Sequence, residues 1–318
     1  MGFDPININL DKNSFIRKNI KDKITSVFPS TTTNATTSIL TNKMPLQHGW
    51  VAWSVYFKEL DRAVDIYLNS DTYTKEKIDP NFLSNRLPTS PYYKNAKTDY
   101  IISKVVPPYW QDGIPENRYT FTETNVMFKH IKGICETKGK QFIYCYCPEP
   151  DYTMHEFGVS SREANKVIND INKHLEELVN SCTDTLFIIT ADHGHTDVTG
   201  YINLYENKEL LDLLEVKPYL EARATAFKVK QNNKAQFEKL FKMCYAKDFK
   251  LFKSEKLLKK NYFGIITENK EFLADYIAVC KTNKVFRFTE NHPYFKGYHT
   301  SLGSEMFVPL IICKNKQN

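Results

Sequence analysis

Long apolar segments are missing from this 318-residue chain: it has no run of about 18 apolar residues, so the sequence predicts no transmembrane helix and no membrane partner. Residues 1–5 have neither the basic start nor the apolar segment of a signal peptide. The seven cysteines also lack the regular spacing of a disulfide framework. Together these absences predict free thiols in a reducing compartment, and therefore a cytoplasmic protein.

Charge and composition narrow the class further. The formal net charge is +6, but the lysines are scattered along the chain. The densest basic stretch, residues 250–260, is typical of a solvated helix face, so no nucleic-acid partner is predicted. A hydrophobic share of 42% is enough for a packed core, and the length suits one large domain or a core with an insertion.

One predicted strand ends in an acid and two imidazoles. The apolar run 185–189 is soon followed by Asp192, His193, Gly194 and His195. Because open α/β sheets bind ligands at the carboxyl ends of their strands, this stretch is a candidate metal site. The alternative is an ordinary polar turn with Gly194 in a left-handed conformation.

A second predicted strand, 141–147, leads to Asp151 and His155. An amphipathic helix from residue 160 or 161 to about 179 connects it to the strand at 185–189. This strand–helix–strand pattern predicts a parallel sheet with both acid–imidazole pairs at one edge. One more imidazole, His299, precedes the last predicted strand, 306–313.

Hydroxyl side chains crowd the stretch 30–40, which follows a predicted strand at 23–28. Ser, Thr and Asn side chains cap helices, so a helix is expected to begin near Thr32 or Thr33. The free N–H groups at the start of a helix also bind phosphate. Taken alone, the stretch fits either a phosphate-binding hydroxyl or an ordinary threonine-rich cap.

The remaining stretches set the expected organisation. Residues 69–120 are irregular and rich in Pro, Asn and Tyr, which is typical of a binding loop or lid. Residues 214–284 contain no cluster of metal-binding residue types and are predicted to form a small inserted α+β subdomain. Residues 1–213 and 285–318 form the predicted metal-binding catalytic core.

With these pieces in order, the chain resembles the alkaline phosphatase superfamily, and within it the type I phosphodiesterase/nucleotide pyrophosphatase family. The resemblance rests on five motifs: Phe28-Pro29-Ser30-Thr31-Thr32, Gln47-His48-Gly49, Pro150-Asp151 with His155, Asp192-His193-Gly194, and Gly297-Tyr298-His299. It implies an α/β fold with a doubly wound, mostly parallel sheet of alkaline-phosphatase type and a small α+β insertion.

The resemblance also implies two zinc ions, for which other divalent metals could substitute. Asp151, His155 and His299 match the ligands of the first ion. Asp192 and His193 match ligands of the second, which in the family contacts a nucleophilic threonine. That threonine falls on Thr32 by its offset from Phe28-Pro29, with Thr31 and Thr33 as neighbouring alternatives. His195 lies outside the ligand pattern, and it is predicted either to contact a metal-binding side chain without binding the metal itself or to lie on the surface.

The function implied is zinc-dependent hydrolysis of a small phosphate ester or nucleotide, most directly by a phosphodiesterase/nucleotide pyrophosphatase that forms a phosphothreonine. Mixed carboxylate and imidazole ligands suit zinc, and coordination lowers the pKa of a threonine hydroxyl. Two adjacent metals can stabilise the entering and leaving oxygens of an in-line displacement. Alternatives are a phosphomonoesterase or phosphonate hydrolase on the same core, and a truncated, non-catalytic paralogue. The oligomeric state is left open.

The chain departs from the family pattern in two places. The family begins with an apolar strand ending in Asp-Gly, whose Asp is a metal ligand, whereas this chain begins Met1-Gly2-Phe3. The simplest hypothesis is that this strand and ligand are missing, through a late start assignment or a truncation, with Asp4 the nearest acid that could substitute. Trp53 stands where the family usually has an Asn that holds a phosphate oxygen.

Overall fold

A computed structural model of the chain describes residues 1–84, 86, 100–107 and 117–315. Helices and strands alternate along most of this length. The helices are α1 Phe3–Asn9, α2 Phe15–Asn19, α3 Thr32–Thr41, α4 Pro45–His48, α5 Pro80–Ser84, α6 Thr124–Cys135, α7 Asp151–Phe157, α8 Arg162–Ser181, α9 Lys208–Leu211, α10 Lys234–Tyr245 and α11 Ser254–Lys259. The strands are β1 Ile20–Thr25, β2 Ser54–Phe57, β3 Arg62–Asp65, β4 Ser70–Asp71, β5 Ile101–Val106, β6 Arg118–Thr120, β7 Gln141–Cys145, β8 Leu186–Ile189, β9 Thr196–Asp197, β10 Gly200–Asn203, β11 Tyr219–Leu220, β12 Ala224–Phe227, β13 Phe249–Lys253, β14 Tyr276–Cys280, β15 Lys284–Arg287, β16 Gly297–Tyr298 and β17 Phe307–Lys314.

The α/β class is confirmed, but the mostly parallel sheet is not. Among the described residues, parallel pairing joins β5 to β6 and β7, and β10 to β15. The last strand, β17, runs antiparallel to both β1 and β8. The largest sheet, in the order β13-β14-β12-β11-β2-β3-β4, is antiparallel throughout. Short connections join β2 to β3, β3 to β4 and β11 to β12, as is possible only between antiparallel strands.

This seven-stranded sheet connects the predicted insertion to the segment 54–71. Leu220 on β11 pairs with Ser54 on β2. Apolar residues from both segments, such as Val55, Val64 and Ile277, share one buried cluster. The division into a core and an inserted subdomain stays a prediction, and the structure adds that the insertion's strands continue a sheet begun by residues 54–71.

The second core lies between α6, α8 and the strands next to them. Helix α8 begins at an N-cap, Ser161, whose hydroxyl accepts the Ala164 N–H at 3.0 Å, as expected for a capping serine. Its apolar residues Ile168 and Leu178 are buried on one face, where they share a cluster with Ile311 of β17. The helix predicted after residue 160 is therefore confirmed, and it carries the chain from β7 to β8.

Strands β7 and β8 do not pair with each other. Each lies at the edge of its sheet in the described part of the chain, β7 beside β5 and β8 beside β17. On β8, Leu186 and Ile188 are 60% and 65% exposed. The apolar run 185–189 is therefore only half-buried, although apolar runs of this length are typical of buried strands.

The stretch 69–120 is less irregular than its composition predicts, because it contributes the strands β4, β5 and β6 and the short helix α5. Strand β5 is central in its three-stranded parallel sheet. Much of the expected lid, residues 87–99 and 108–116, lies outside the described residues.

Candidate metal and catalytic site

The N-terminus of α3 presents Thr32. Thr31 precedes the helix in an extended conformation, and the Asn34 side chain donates to the Pro29 carbonyl at 2.9 Å, which holds the turn. The helix predicted near Thr32 or Thr33 is confirmed. Thr31 and Thr33 are each 1% exposed, whereas Thr32 is half-buried and its Oγ1 lies 3.2 Å from His193 Nε2. Of the three neighbouring threonines, Thr32 is the one that faces the candidate site.

Helix α7 brings in Asp151 and His155. The four-residue spacing places both side chains on one face of the helix, and the Asp151 Oδ1 to His155 Nε2 distance is 3.7 Å. The other ring nitrogen of His155, Nδ1, lies 2.9 Å from the Gly297 carbonyl oxygen. With Nδ1 donating to this carbonyl, Nε2 is left as the acceptor that a metal ion needs.

The loop after β8 supplies Asp192 and His193. His193 Nε2 lies 3.5 Å from Asp192 Oδ2 and 3.7 Å from Asp151 Oδ1, so this imidazole stands between the two acids. Gly194 is not in the left-handed region, so the alternative of a left-handed turn is wrong. Position 194 has little space for a side chain, because a Cβ there would lie 3.1 Å from the Glu305 Cα. The Gly194 N–H donates to the Glu305 carbonyl at 2.7 Å.

A short antiparallel ribbon carries the last two imidazoles. Strands β9 and β16 pair Thr196 with Tyr298, so the next residues, His195 and His299, stand opposite each other. His195 is 3% exposed and His299 is 7% exposed, which rules out a surface position for His195. His299 Nδ1 lies 3.1 Å from the Ser30 carbonyl oxygen, which connects the ribbon to the threonine segment.

The donor atoms fit a transition metal. One ligand atom each from Asp151, His155, His195 and His299 can be chosen so that all four lie within 4.8 Å of one another. Two of the atoms in this cluster, Asp151 Oδ1 and His195 Nε2, are buried and have no hydrogen-bond partner. Buried polar atoms are almost always satisfied, and a cation between these two atoms, which lie 3.3 Å apart, would satisfy both of them. A carboxylate with imidazoles is a ligand set that zinc prefers.

Burial sets the protonation of these ligands. It lowers the pKa of His155 to about 4, and it lowers the pKa values of His195 and His299 well below the ordinary 6.5, an effect to which the neighbouring imidazoles add. All three rings are therefore neutral at pH 7, which is the form that binds a metal. Burial also raises the pKa of Asp151 to about 6, against the opposing effect of His193.

The other residues singled out in the sequence lie apart from this cluster. Within the described parts of the chain, the Asp4 carboxylate makes no ion pair or hydrogen bond with the histidines. His48 is buried with its Nε2 2.9 Å from Ser38 Oγ. The Trp53 ring stacks on Tyr67 with centroids 5.8 Å apart, and its backbone N–H donates to Glu221 Oε1 at 2.8 Å.

The cluster contains three of the six predicted site residues, Asp151, His155 and His299, together with His195, which the sequence analysis set aside; Thr32, Asp192 and His193 lie next to it. Thr32, Asp151, His155, Asp192, His193 and His299 are connected by the distances above, whereas His195 was expected outside the ligand set. The signal for His195 was present as a second imidazole two residues after His193. Its placement, however, depends on the pairing of β9 with β16.

The fold is shared with solved structures of low sequence identity. Murine ectonucleotide pyrophosphatase/phosphodiesterase 5, solved as an inactive threonine-to-alanine variant in complex with AMP, has a TM-score of 0.72 at 17% identity and covers 99% of this chain and 86% of its own. The human protein of that name gives 0.67 at 15% identity, over 92% and 79% of the two chains. Phosphonoacetate hydrolase from Sinorhizobium meliloti 1021, in complex with phosphonoformate, gives 0.63 at 16% identity, over 94% and 83%.

Sequence comparison identifies the family. The profile of the type I phosphodiesterase/nucleotide pyrophosphatase family matches residues 13–302, and the chain belongs to that family. No protein of the curated set matches the chain. In the described part of the chain, every helix is too short or too polar to cross a bilayer.

Proposed function

We propose that the protein is a zinc-dependent phosphodiesterase that uses Thr32 as its nucleophile. The observation that carries the proposal is the position of Thr32 Oγ1, at the first turn of α3 and 3.2 Å from His193 Nε2. A substrate phosphate placed there would meet the free N–H groups and the positive end of α3. The same oxygen would lie beside the acid and imidazole side chains of the cluster.

The residues would share the work as follows. The Thr32 hydroxyl loses its proton and its oxygen forms the bond to phosphorus, while the bond to the leaving alkoxide breaks and the alkoxide takes up a proton. Water then attacks phosphorus and the Thr32 oxygen leaves, which releases the phosphate monoester and regenerates the hydroxyl. The neutral imidazoles and the carboxylates would hold the metal, and the start of α3 would orient the phosphate oxygens. When bound, zinc would lower the pKa of the attacking hydroxyl and stabilise developing negative charge on oxygen.

Two zinc ions are proposed, with the ligand sets that the family resemblance implies. Asp151, His155 and His299 would hold the first ion, and Asp192 and His193 would hold the second next to Thr32. The support is that each set converges through distances of 3.2–3.7 Å or lies within the 4.8 Å cluster. A cytoplasmic location remains the proposal from the cysteines, all seven of which are free.

The alternatives differ in how they treat the substrate. Trp53 occupies the position expected for a phosphate-binding Asn, and its ring is engaged with Tyr67. Because this Asn is absent, a monoester or a phosphonate is an alternative substrate to a diester. A non-catalytic paralogue would retain metal without turnover.

The test is hydrolysis by the metal-loaded protein. We expect bis-p-nitrophenyl phosphate to be cleaved faster than p-nitrophenyl phosphate or phosphonoacetate, because the proposal is a diesterase. Thr32→Ala should abolish turnover without loss of metal content. Thr32→Ser should retain part of the wild-type turnover, because serine keeps the hydroxyl. Thr31→Ala and Thr33→Ala are matched controls that should retain turnover. Full activity in Thr32→Ala would refute the nucleophile, and metal binding without any hydrolysis would favour the paralogue.

A further inference from the structure

We propose that His195 is a fourth protein ligand of the metal ion held by Asp151, His155 and His299, and that it closes the coordination sphere of that ion. The proposal deepens the metal site of the proposed function and rests on it. It assigns a role to a side chain that stands outside the ligand set implied by the family resemblance.

The first argument is the pair of orphaned atoms. His195 Nε2 lies 3.3 Å from Asp151 Oδ1, which is closer than the 3.7 Å from His155 Nε2 to the same oxygen. The two atoms are within hydrogen-bonding distance, yet neither has a hydrogen-bond partner. The atoms are therefore close without being aligned for a hydrogen bond. This arrangement is expected if the lone pairs of His195 Nε2 and Asp151 Oδ1 both point towards one metal ion between them.

The second argument is the orientation of the rings. His155, His195 and His299 are steeply inclined to one another, with interplanar angles of 75° for His155 and His195, 65° for His155 and His299, and 69° for His195 and His299. Rings that approach one point from different directions are inclined in this way. His193 instead stacks on His299 at 30° with centroids 3.9 Å apart, and its Nε2 faces Thr32. The imidazoles therefore divide into a group of three and His193.

The third argument is that the backbone builds this group. The pairing of β9 with β16 continues in register to place His195 opposite His299. Gly297 on the same ribbon accepts the hydrogen bond of His155 through its carbonyl, and its Cα packs so closely that a Cβ would lie 3.3 Å from the His195 ring. One two-stranded ribbon thus positions all three rings, which is the support that a ligand set needs.

Four protein ligands have a consequence for the division of roles. Zinc sites with four protein ligands are closed and structural, whereas catalytic sites keep one position open. The ion at Asp151, His155, His195 and His299 would therefore tie α7 to the ribbon and shape the site. The open position would belong to the second ion, beside Thr32, Asp192 and His193.

Cobalt(II) tests the proposal without measuring hydrolysis, because four-coordinate cobalt absorbs visible light far more strongly than five- or six-coordinate cobalt. We expect the first equivalent of cobalt to give the intense spectrum in the wild-type protein. His195→Gln should lose that spectrum and weaken the affinity by at least about 100-fold, the upper end of what even an outer-shell change costs. His292→Gln is the matched control, because its Nε2 is also buried and without a partner but lies outside the cluster. Unchanged affinity and absorption in His195→Gln would overturn the proposal.

A measurement on the wild-type protein covers the case in which His195→Gln does not fold. With ¹¹³Cd and ¹⁵N-labelled histidine, we expect three imidazole Nε2 signals coupled to one and the same cadmium ion. Two such signals, or no bound cadmium, would overturn the proposal. A protein that shows three but does not cleave phosphodiesters would refute the proposed function and leave the His195 assignment standing.

Discussion

Glu221 lies behind the threonine segment and makes the stability of the protein depend on pH. Its side chain is 5% exposed and accepts the Trp53 N–H at 2.8 Å. Burial raises the pKa of this carboxyl to about 8, to which the nearby Asp65 adds, while the Trp53 N–H and the Thr31 hydroxyl oppose the rise. At neutral pH the folded protein therefore keeps Glu221 protonated.

The sign and size of the effect follow from proton linkage. The folded-state pKa of about 8 exceeds the ordinary value of 4.5, so the unfolded chain loses the proton first. The stability that the neutral carboxyl contributes is fully present below pH 4.5, and it is lost as the pH rises towards 8. At pH 7 the loss amounts to about 3 kcal/mol, because each pKa unit is worth about 1.4 kcal/mol.

Glu221→Gln should remove this dependence, since the amide does not ionise and its oxygen can still accept the Trp53 N–H. We expect the variant to exceed the wild-type free energy of unfolding by about 3 kcal/mol at pH 7 and by little at pH 4.5. Urea unfolding at a series of pH values measures the difference, in which the titrations common to both proteins cancel. Glu209→Gln, at an exposed position, controls for the loss of one charge. A Glu221→Gln difference that is the same at both pH values would refute the reasoning.

Two further predictions concern the packing around the site. Glu305→Gln should lower the free energy of unfolding in urea by about 3–5 kcal/mol. Glu305 Oε1 and Arg223 Nη2 form a buried ion pair at 2.6 Å, and the guanidinium would lose its charged partner. A loss below about 1 kcal/mol, as for a surface pair, would contradict this account. Gly297→Ala should weaken metal binding in chelator competition, because the new Cβ would lie 2.4 Å from the Met154 carbonyl oxygen and push β16 away from α7. Gly133→Ala on α6 is its control, since no atom lies within 4 Å of the added Cβ, and equal metal affinity in both variants would show that the ribbon does not position the ligands.

Local sequence patterns predicted the elements that carry the site. The hydroxyl-rich start of α3, the capped amphipathic helix α8 and the strands before Asp151 and Asp192 all occur close to their expected positions. Each depends on interactions within a few residues, such as a side-chain cap or a run of apolar residues, and such interactions can be inferred from the sequence.

Pairing between distant segments could not be inferred in the same way. The β17 strand runs antiparallel between β1 and β8, and the insertion joins β2 through Leu220 and Ser54. The composition of these strands does not predict which strands they pair with. His195 shows the same limit within the site, because its place beside His299 follows from the pairing of β9 with β16. Glu221 was also missed, since its importance comes from burial behind Trp53 and Thr31.

The most direct test of the central claim is to trap the covalent intermediate on Thr32. The zinc-loaded protein would be mixed with bis-p-nitrophenyl phosphate, quenched in acid during turnover, digested and analysed by mass spectrometry. The account predicts a p-nitrophenyl phosphoryl adduct on Thr32, formed with loss of one p-nitrophenolate and absent from Thr32→Ala. An adduct on another residue, or continued turnover in Thr32→Ala without any adduct, would contradict it.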